Sequence, residues 1–431
     1  MGFLLRRISI IALSSVLSIG LLVYLIRMER VTPMQETGID RFLLRHWSDP
    51  IPPQGAVPNG FNELEASLAP QDCGSCHPHQ WEDWQGSKHA RAMGIGILWQ
   101  LPLLGQQEGN RCLRCHAPLA EQKALTARRI GWPNAPDAPP PNNIPGDLDL
   151  QGLVCAACHA REYVVYGPTA RTEVDQEAQV HGGFQAHLAF EDSRFCAHCH
   201  QFPEDGPRVN GKLLEDTYAQ WLAGPAAEQG TQCQGCHMPE RRHLWRGIHD
   251  PEMVRRALAV EMQLTTDAEG GRQLEVTLRN VGAGHLVPTY TVPKLVVELI
   301  LQREGAAPRQ IGRQLVGWYV ETDLKTERYD TRIPPGQQQV LLFPLDPQEV
   351  PGDAVLEMNL DVYPREHYER MFRQVLADPA LKKDQAVSVR AALDEAIGAR
   401  YRLLTQRLSL SALAPEYVRN VAKQSRRRIA N

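Results

Sequence analysis

Apolar and polar positions follow one another along this chain in three different rhythms, and each rhythm predicts a different kind of element. The first is an unbroken apolar run, Ile8–Ile26, nineteen residues without a charge. As a helix it would rise about 28 Å, close to the ~30 Å hydrocarbon core of a bilayer. Arg6 and Arg7 precede it, and Arg27, Glu29 and Arg30 follow. That asymmetry predicts a cytoplasmic amino terminus and a main body on the far side of the membrane. A cleaved secretory peptide is the alternative, with Ser15 and Ser18 as its small residues. Residues 1–30 are read as a retained transmembrane anchor.

Residues 31–66 carry Pro33, Pro50, Pro52, Pro53 and Pro58 and are expected to be a tether without a core of its own. Residues 67–256 show little periodicity, and Trp132–Pro145 is rich in proline, so short helices and loops are expected. A period of two begins after residue 257. It runs through Arg272–Val281, Lys294–Gln302, Gln337–Pro344 and Ala354–Tyr363, with turn signals between them. Residues 257–365 are therefore expected to form an antiparallel, immunoglobulin-like β-sandwich. In residues 366–431 the period lengthens. Val389, Leu393, Ile397, Tyr401, Leu404 and Leu408 lie three or four apart and predict one face of an amphipathic helix. Arg419, Lys423, Arg426, Arg427 and Arg428 near the end read as a solvated basic tail. The expected fold is thus α+β and multidomain: anchor, helical and loop-rich region, sandwich, C-terminal helices.

Composition changes this picture little. A net charge of −4 provides no global basic field, so nucleic acid is not an expected partner. The cysteines change it completely. All ten fall into five Cys-x-x-Cys pairs: Cys73 and Cys76, Cys112 and Cys115, Cys155 and Cys158, Cys196 and Cys199, Cys233 and Cys236. A histidine follows each pair at once: His77, His116, His159, His200 and His237. This is the attachment signature of c-type haem, in which two thiols bond the porphyrin and the histidine ligates iron. Thioredoxin-like pairs do not recur five times, and zinc sites do not require that adjacent histidine. Five covalent haems are expected, in a chain exported to an oxidising face; the default address is the periplasmic side of a bacterial inner membrane.

The first motif continues into Trp84-Gln-Gly-Ser87-Lys-His89. Cys-x-x-Cys-His followed by Trp-x-x-Ser-x-His resembles the superfamily of octahaem hydroxylamine oxidoreductase and its tetrahaem cytochrome partner. SRFCAHCHQF (Ser193–Phe202) and CQGCHMPERRHLWRGIHD (Cys233–Asp250) are similar to segments of that group, as is the loop Asn280–Thr289 on an appended sandwich. The chain departs from the pattern in two places. It has five motifs and not eight, and Trp221 is followed by Gly224-Pro225-Ala226 where a second such histidine would fall.

Each haem also needs its sixth coordination position filled by the fold. Ten histidines lie outside the motifs. His89 is favoured by its Trp84 and Ser87 setting. His243 and His249 stand at positions that resemble family ligands. His181 lies beside two glycines, with His187 as its competitor, and His285 sits on a glycine-rich loop between strands. His46, His79, His198 and His367 are read as non-ligands, and Met93, Met238 and Met253 as packing residues that offer an alternative. The resulting expectation is an electron carrier with mostly bis-histidine haems, serving a redox donor and acceptor. Two alternatives stand beside it: an oxidoreductase for a small nitrogen or sulfur compound at one open haem, and a docking subunit of a quinol-oxidising membrane complex. A homo-oligomer is a further option.

Overall fold

The computed structural model describes residues 37–169 and 183–410. The run Ile8–Ile26, His181 and the Arg419–Arg428 tail lie outside them. Among the described residues no helix is long and apolar enough to cross a membrane. The chain divides into two compact units at Trp47/Ser48.

Within the first unit, Gly38–His46 is a helix closed at its start by a reciprocal capping box between Thr37 and Asp40. The Phe42 and His46 rings stack at 4.8 Å. Within the second, the proline-bearing segment is not a loose tether. Ile51 and Gln54 are buried, the Gln54 amide donates to Glu121 Oε1 at 2.6 Å, and its side chain donates to the Ala160 carbonyl at 3.3 Å. Proline forbids ladders and helices here, but not burial of the residues between prolines.

From Pro70 to His237 the chain forms short helices joined by loops and two small sheets. Met93, Leu101, Leu113, Ala117, Ala127 and Trp132 make an apolar cluster, which assigns Met93 to packing. The Pro-rich interruption is held in place. Arg128 Nη1 donates to the carbonyls of Pro136, Asp137 and Ala138 at 2.6–2.9 Å.

Seven strands then build two antiparallel sheets. One has the order Gln338–Pro344, Arg272–Asn280, Leu258–Thr266, and the other Tyr401–Ser409, Val355–Tyr363, Lys294–Gln302, Arg309–Val316. Leu274, Val276 and Leu278 from the first sheet share a core with Val297, Leu299, Leu356, Met358 and Leu360 from the second. All four period-two segments are strands. The C-terminal expectation needs correction: the helix Lys383–Gly398 ends at its glycine, and Tyr401–Ser409 is a strand paired along Val355–Tyr363. Leu404 and Leu408 are four apart, an even number, so they share a face in a strand as well as in a helix. The sheet therefore extends beyond residue 365, and residues 366–431 are not wholly helical.

Candidate haem centres

All five motifs lie on short helices: Pro70–Cys76, Gln106–His116, Cys155–His159, Arg194–His200 and Cys233–His237, with His77 as the C-cap of the first. On a helical turn, positions i, i+3 and i+4 project from one face. Both sulfurs and the imidazole of each motif are thereby offered to one side. No disulfide forms among the ten cysteines.

The ten thiols are not equally enclosed. Cys73, Cys112, Cys115, Cys155, Cys158, Cys196, Cys199 and Cys233 are half-buried, whereas Cys76 and Cys236 are exposed. The helix of Cys236, Cys233–His237, packs chiefly against the turn Pro239–Arg241 that follows it. The sulfur of Cys236 is therefore left open while that of Cys233 faces the fourth motif.

Sulfurs of different motifs meet. Cys155 lies beside Cys73, Cys199 beside Cys115, and Cys196 beside Cys233. Neighbouring groups repeat the pairing. Trp84 Nε1 donates to the Leu153 carbonyl at 2.7 Å, joining the first and third motifs. Arg114 Nε donates to His198 Nε2 at 3.5 Å, inside the second and fourth Cys-x-x-Cys spacers. Ser193 Oγ donates to Gln232 Oε1 at 2.7 Å and accepts from the Cys233 amide at 2.9 Å, joining the fourth and fifth. His159 stacks on Phe190 at 5.3 Å and Phe190 lies 4.5 Å from Phe195, linking the third to the fourth.

The imidazoles are oriented from behind. Because a carbonyl can only accept, each Nδ1 bonded to one must carry the proton, which leaves Nε2 with its lone pair. His116 Nδ1 donates to the Ala92 carbonyl (2.6 Å), His159 to Tyr166 (2.8 Å) and His237 to Arg246 (2.6 Å). Two non-motif histidines are held the same way, His243 by the Arg241 carbonyl (3.1 Å) and His285 by that of Leu286 (2.9 Å). Burial pushes His89 down to about 3 and His159 and His285 to about 4, so these rings are neutral. Neutral imidazole is the ligating form.

Three motif rings face a second histidine. His237 and His285 have centroids 6.3 Å apart and planes 11° from parallel. The separations are 6.1 Å for His159–His243 and 6.4 Å for His200–His89. With a metal–nitrogen bond of about 2.0 Å and about 1.2 Å from nitrogen to ring centre, two imidazoles trans across one metal have centroids about 6.4 Å apart. The donor set therefore fits a metal between each pair. His89 Nδ1 is buried without a hydrogen-bond partner.

The remaining histidines divide as follows. His249 is pushed down to about 3 by burial and by the nearby cations Lys88 and Arg365. No motif ring faces it among the described residues. His187 Nδ1 accepts from the Ala189 amide at 3.1 Å, an N-capping role. His79 is exposed and His367 is buried in its helix. The loop glycines before His285 matter for space. Gly282 and Gly284 do not adopt left-handed backbone; they permit close approach, since a Cβ on Gly282 would lie 2.2 Å from the Arg256 carbonyl oxygen and one on Gly284 2.7 Å from Ala226 Cβ. Sequence reading missed Trp245, which packs between two of the paired histidines; its place two residues after His243 was the available signal.

Residues 72–130 match the family described as cytochrome c554 and c-prime. No curated protein matches the chain. Among solved structures, the penta-heme cytochrome c552 from Thermochromatium tepidum matches with a TM-score of 0.56 and 18% identity, over 80% of this chain and 99% of that one. At that identity the likeness shows a shared fold. A β-glucosidase, DesR from Streptomyces venezuelae, aligns over 23% of this chain and 13% of its own, with 14% identity and a TM-score of 0.14, and carries no argument. Repeated attachment motifs, the family match across the first two of them, and the shared fold together support a multihaem c-type cytochrome.

Proposed function

We propose that the chain carries five covalent haems and transfers electrons along them, facing the periplasm from a single-pass anchor at Ile8–Ile26. The observation that carries this reading is the set of three opposed histidine pairs. In this reading His243, His89 and His285 are the sixth ligands opposite His159, His200 and His237. His181 and His249 remain proposed ligands for the first two sites. All ten cysteines are attachment thiols in this reading, the exposed Cys76 and Cys236 included. Haem iron supplies the one-electron couple when bound, and paired imidazoles favour a six-coordinate carrier. The protein's share is to fix His159, His237, His243 and His285 by their Nδ1 bonds and to keep His89, His159 and His285 neutral by burial. The sulfur pairs, together with the His159–Phe190–Phe195 contact between the third and fourth motifs, support an order of first, third, fourth and fifth motif, with the second branching at the fourth. The two-sheet domain, read as an immunoglobulin-like sandwich, would be fastened to the fifth site through His285 and present a docking face to a redox partner.

Intact mass and electron paramagnetic resonance of the full haem-loaded chain test this. Five haem additions and at least three low-spin bis-imidazole signals are expected. Four or fewer additions in mature protein, or His285→Ala, His243→Ala and His89→Ala variants that each keep every low-spin signal, would overturn it.

A second reading rests on His116. Among the described residues no histidine faces it at ligand spacing. A site of that kind, open to a small nitrogen or sulfur compound, would bind carbon monoxide in the reduced wild-type protein. Reduced protein that binds none removes this reading.

A further inference from the structure

Trp245 lies between the two histidines assigned above to neighbouring sites. Its indole is 4.6 Å from the His89 ring at 63° and 5.0 Å from the His243 ring at 87°, an edge contact to each. Its backbone is left-handed, with φ +41°, a conformation that a bulky side chain rarely adopts without surrounding structure to hold it. That structure is present on both sides. Upstream, Asp83 accepts from the Arg242 guanidinium at 2.7 and 2.6 Å and from the His243 amide at 3.0 Å. Downstream, the Arg246 carbonyl accepts from His237 Nδ1 at 2.6 Å. Six residues, Arg241–Arg246, thus touch the ring at three sites: the Arg241 carbonyl holds His243, the indole separates His243 from His89, and the Arg246 carbonyl holds His237.

From this geometry we infer that Trp245 is a positioning residue, whose indole sets the rotation of the His89 and His243 rings about their ligand bonds and so ties the electronic properties of the third and fourth sites together. Rotation of either ring toward the indole is blocked by contact. Nothing else in the strip separates the two. The inference rests on the ligation reading of the preceding section.

The test uses full-length, haem-loaded protein and reads g-values and midpoint potentials, which report ligand-plane orientation and environment. His89→Ala and His243→Ala first identify the two signals by their conversion to high spin. Trp245→Leu is then expected to move both of those signals and both potentials together, with haem content and the number of low-spin sites unchanged. Trp245→Phe, which keeps an aromatic edge, is expected to fall closer to wild type than Trp245→Leu. If the leucine variant fails to accumulate, Trp245→Met takes its place in the same comparison. Unchanged signals, movement of only one, or a phenylalanine variant no closer to wild type than leucine would overturn the inference alone. Retention of all low-spin sites in His89→Ala and His243→Ala would overturn the ligation reading, and the inference with it.

Discussion

With His285 as the proposed ligand of the fifth site, replacing Gly282 by alanine should break the attachment of the two-sheet domain to that site without altering a ligand side chain. The added Cβ would stand 2.2 Å from the Arg256 carbonyl oxygen and 3.1 Å from its carbon. Carbon and oxygen do not normally approach closer than about 3.3 Å, so the loop must retreat by roughly 1.1 Å. The neighbour is backbone and cannot rotate away. Overpacking of this kind costs about 1–3 kcal/mol. The displacement is not absorbed locally. The Asn280 side chain accepts from the Ala283 amide at 3.0 Å and donates to the His285 carbonyl at 2.9 Å, which makes residues 280–285 one stiff loop. A ligand bond tolerates about 0.2 Å, far less than the shift, so one low-spin site should become high-spin. Thermal denaturation and electron paramagnetic resonance of Gly282→Ala measure both effects. Gly352→Ala is the control, since its Cβ would meet nothing within 4 Å. A Gly282→Ala protein within about 0.5 kcal/mol of wild type, with its low-spin signals intact, would refute the reasoning.

Three further outcomes are expected. Leu278→Ala empties a fully buried position between the sheets and should cost about 2–5 kcal/mol in denaturant unfolding. Glu357 is held below its usual carboxyl value chiefly by Arg407, against the opposing effect of burial, with help from Asn359 and Gln302. Its folded-state pKa is depressed, so its stabilisation is present above the ordinary carboxyl range and lost as pH falls through the depressed value. Glu357→Gln should therefore lower the melting temperature at pH 7, and the gap to wild type should close on acidification; a gap independent of pH contradicts this. Deletion of residues 1–30 behind a cleavable export signal should release haem-loaded protein from membranes in an alkaline wash that leaves the full-length chain bound.

Much of this molecule could be read from residue types at fixed spacing. The attachment motifs are local, five consecutive residues each, and so are the four strands that alternate over at least seven residues. What escaped was set by contacts distant in sequence. Tyr401–Ser409 is a strand because Val355–Tyr363 offers it a partner, and its own spacing fits either period. Gln54 is buried where Glu121 and Ala160 come to meet it. The five motifs read alike, yet Cys236 is exposed where Cys233 is not, because only the neighbours of each helix decide which sulfur is covered. The pairing of His243 with His159 and of His285 with His237 spans 84 and 48 residues (243 − 159 and 285 − 237), so composition around each histidine nominated candidates but not their partners. The surroundings of His249 nominated it in the same way, and Lys88 and Arg365 lie beside it.

The sulfur contacts between motifs have a consequence for how the protein is made. Folding without loaded cofactor would bring Cys73 to Cys155, Cys115 to Cys199 and Cys196 to Cys233 as neighbouring free thiols. In an oxidising compartment such neighbours become cross-linked. Each cross-link removes one attachment sulfur from two motifs at once. Cys196–Cys233 and Cys115–Cys199 both draw on the fourth motif, so the two together would consume both of its sulfurs. Premature folding and maturation are therefore competing fates, and the chain must be kept open until its thiols are capped. Apo-protein secreted from a host without the attachment machinery should accumulate as an intramolecularly cross-linked species that haem added later cannot rescue, unless a reductant is supplied first.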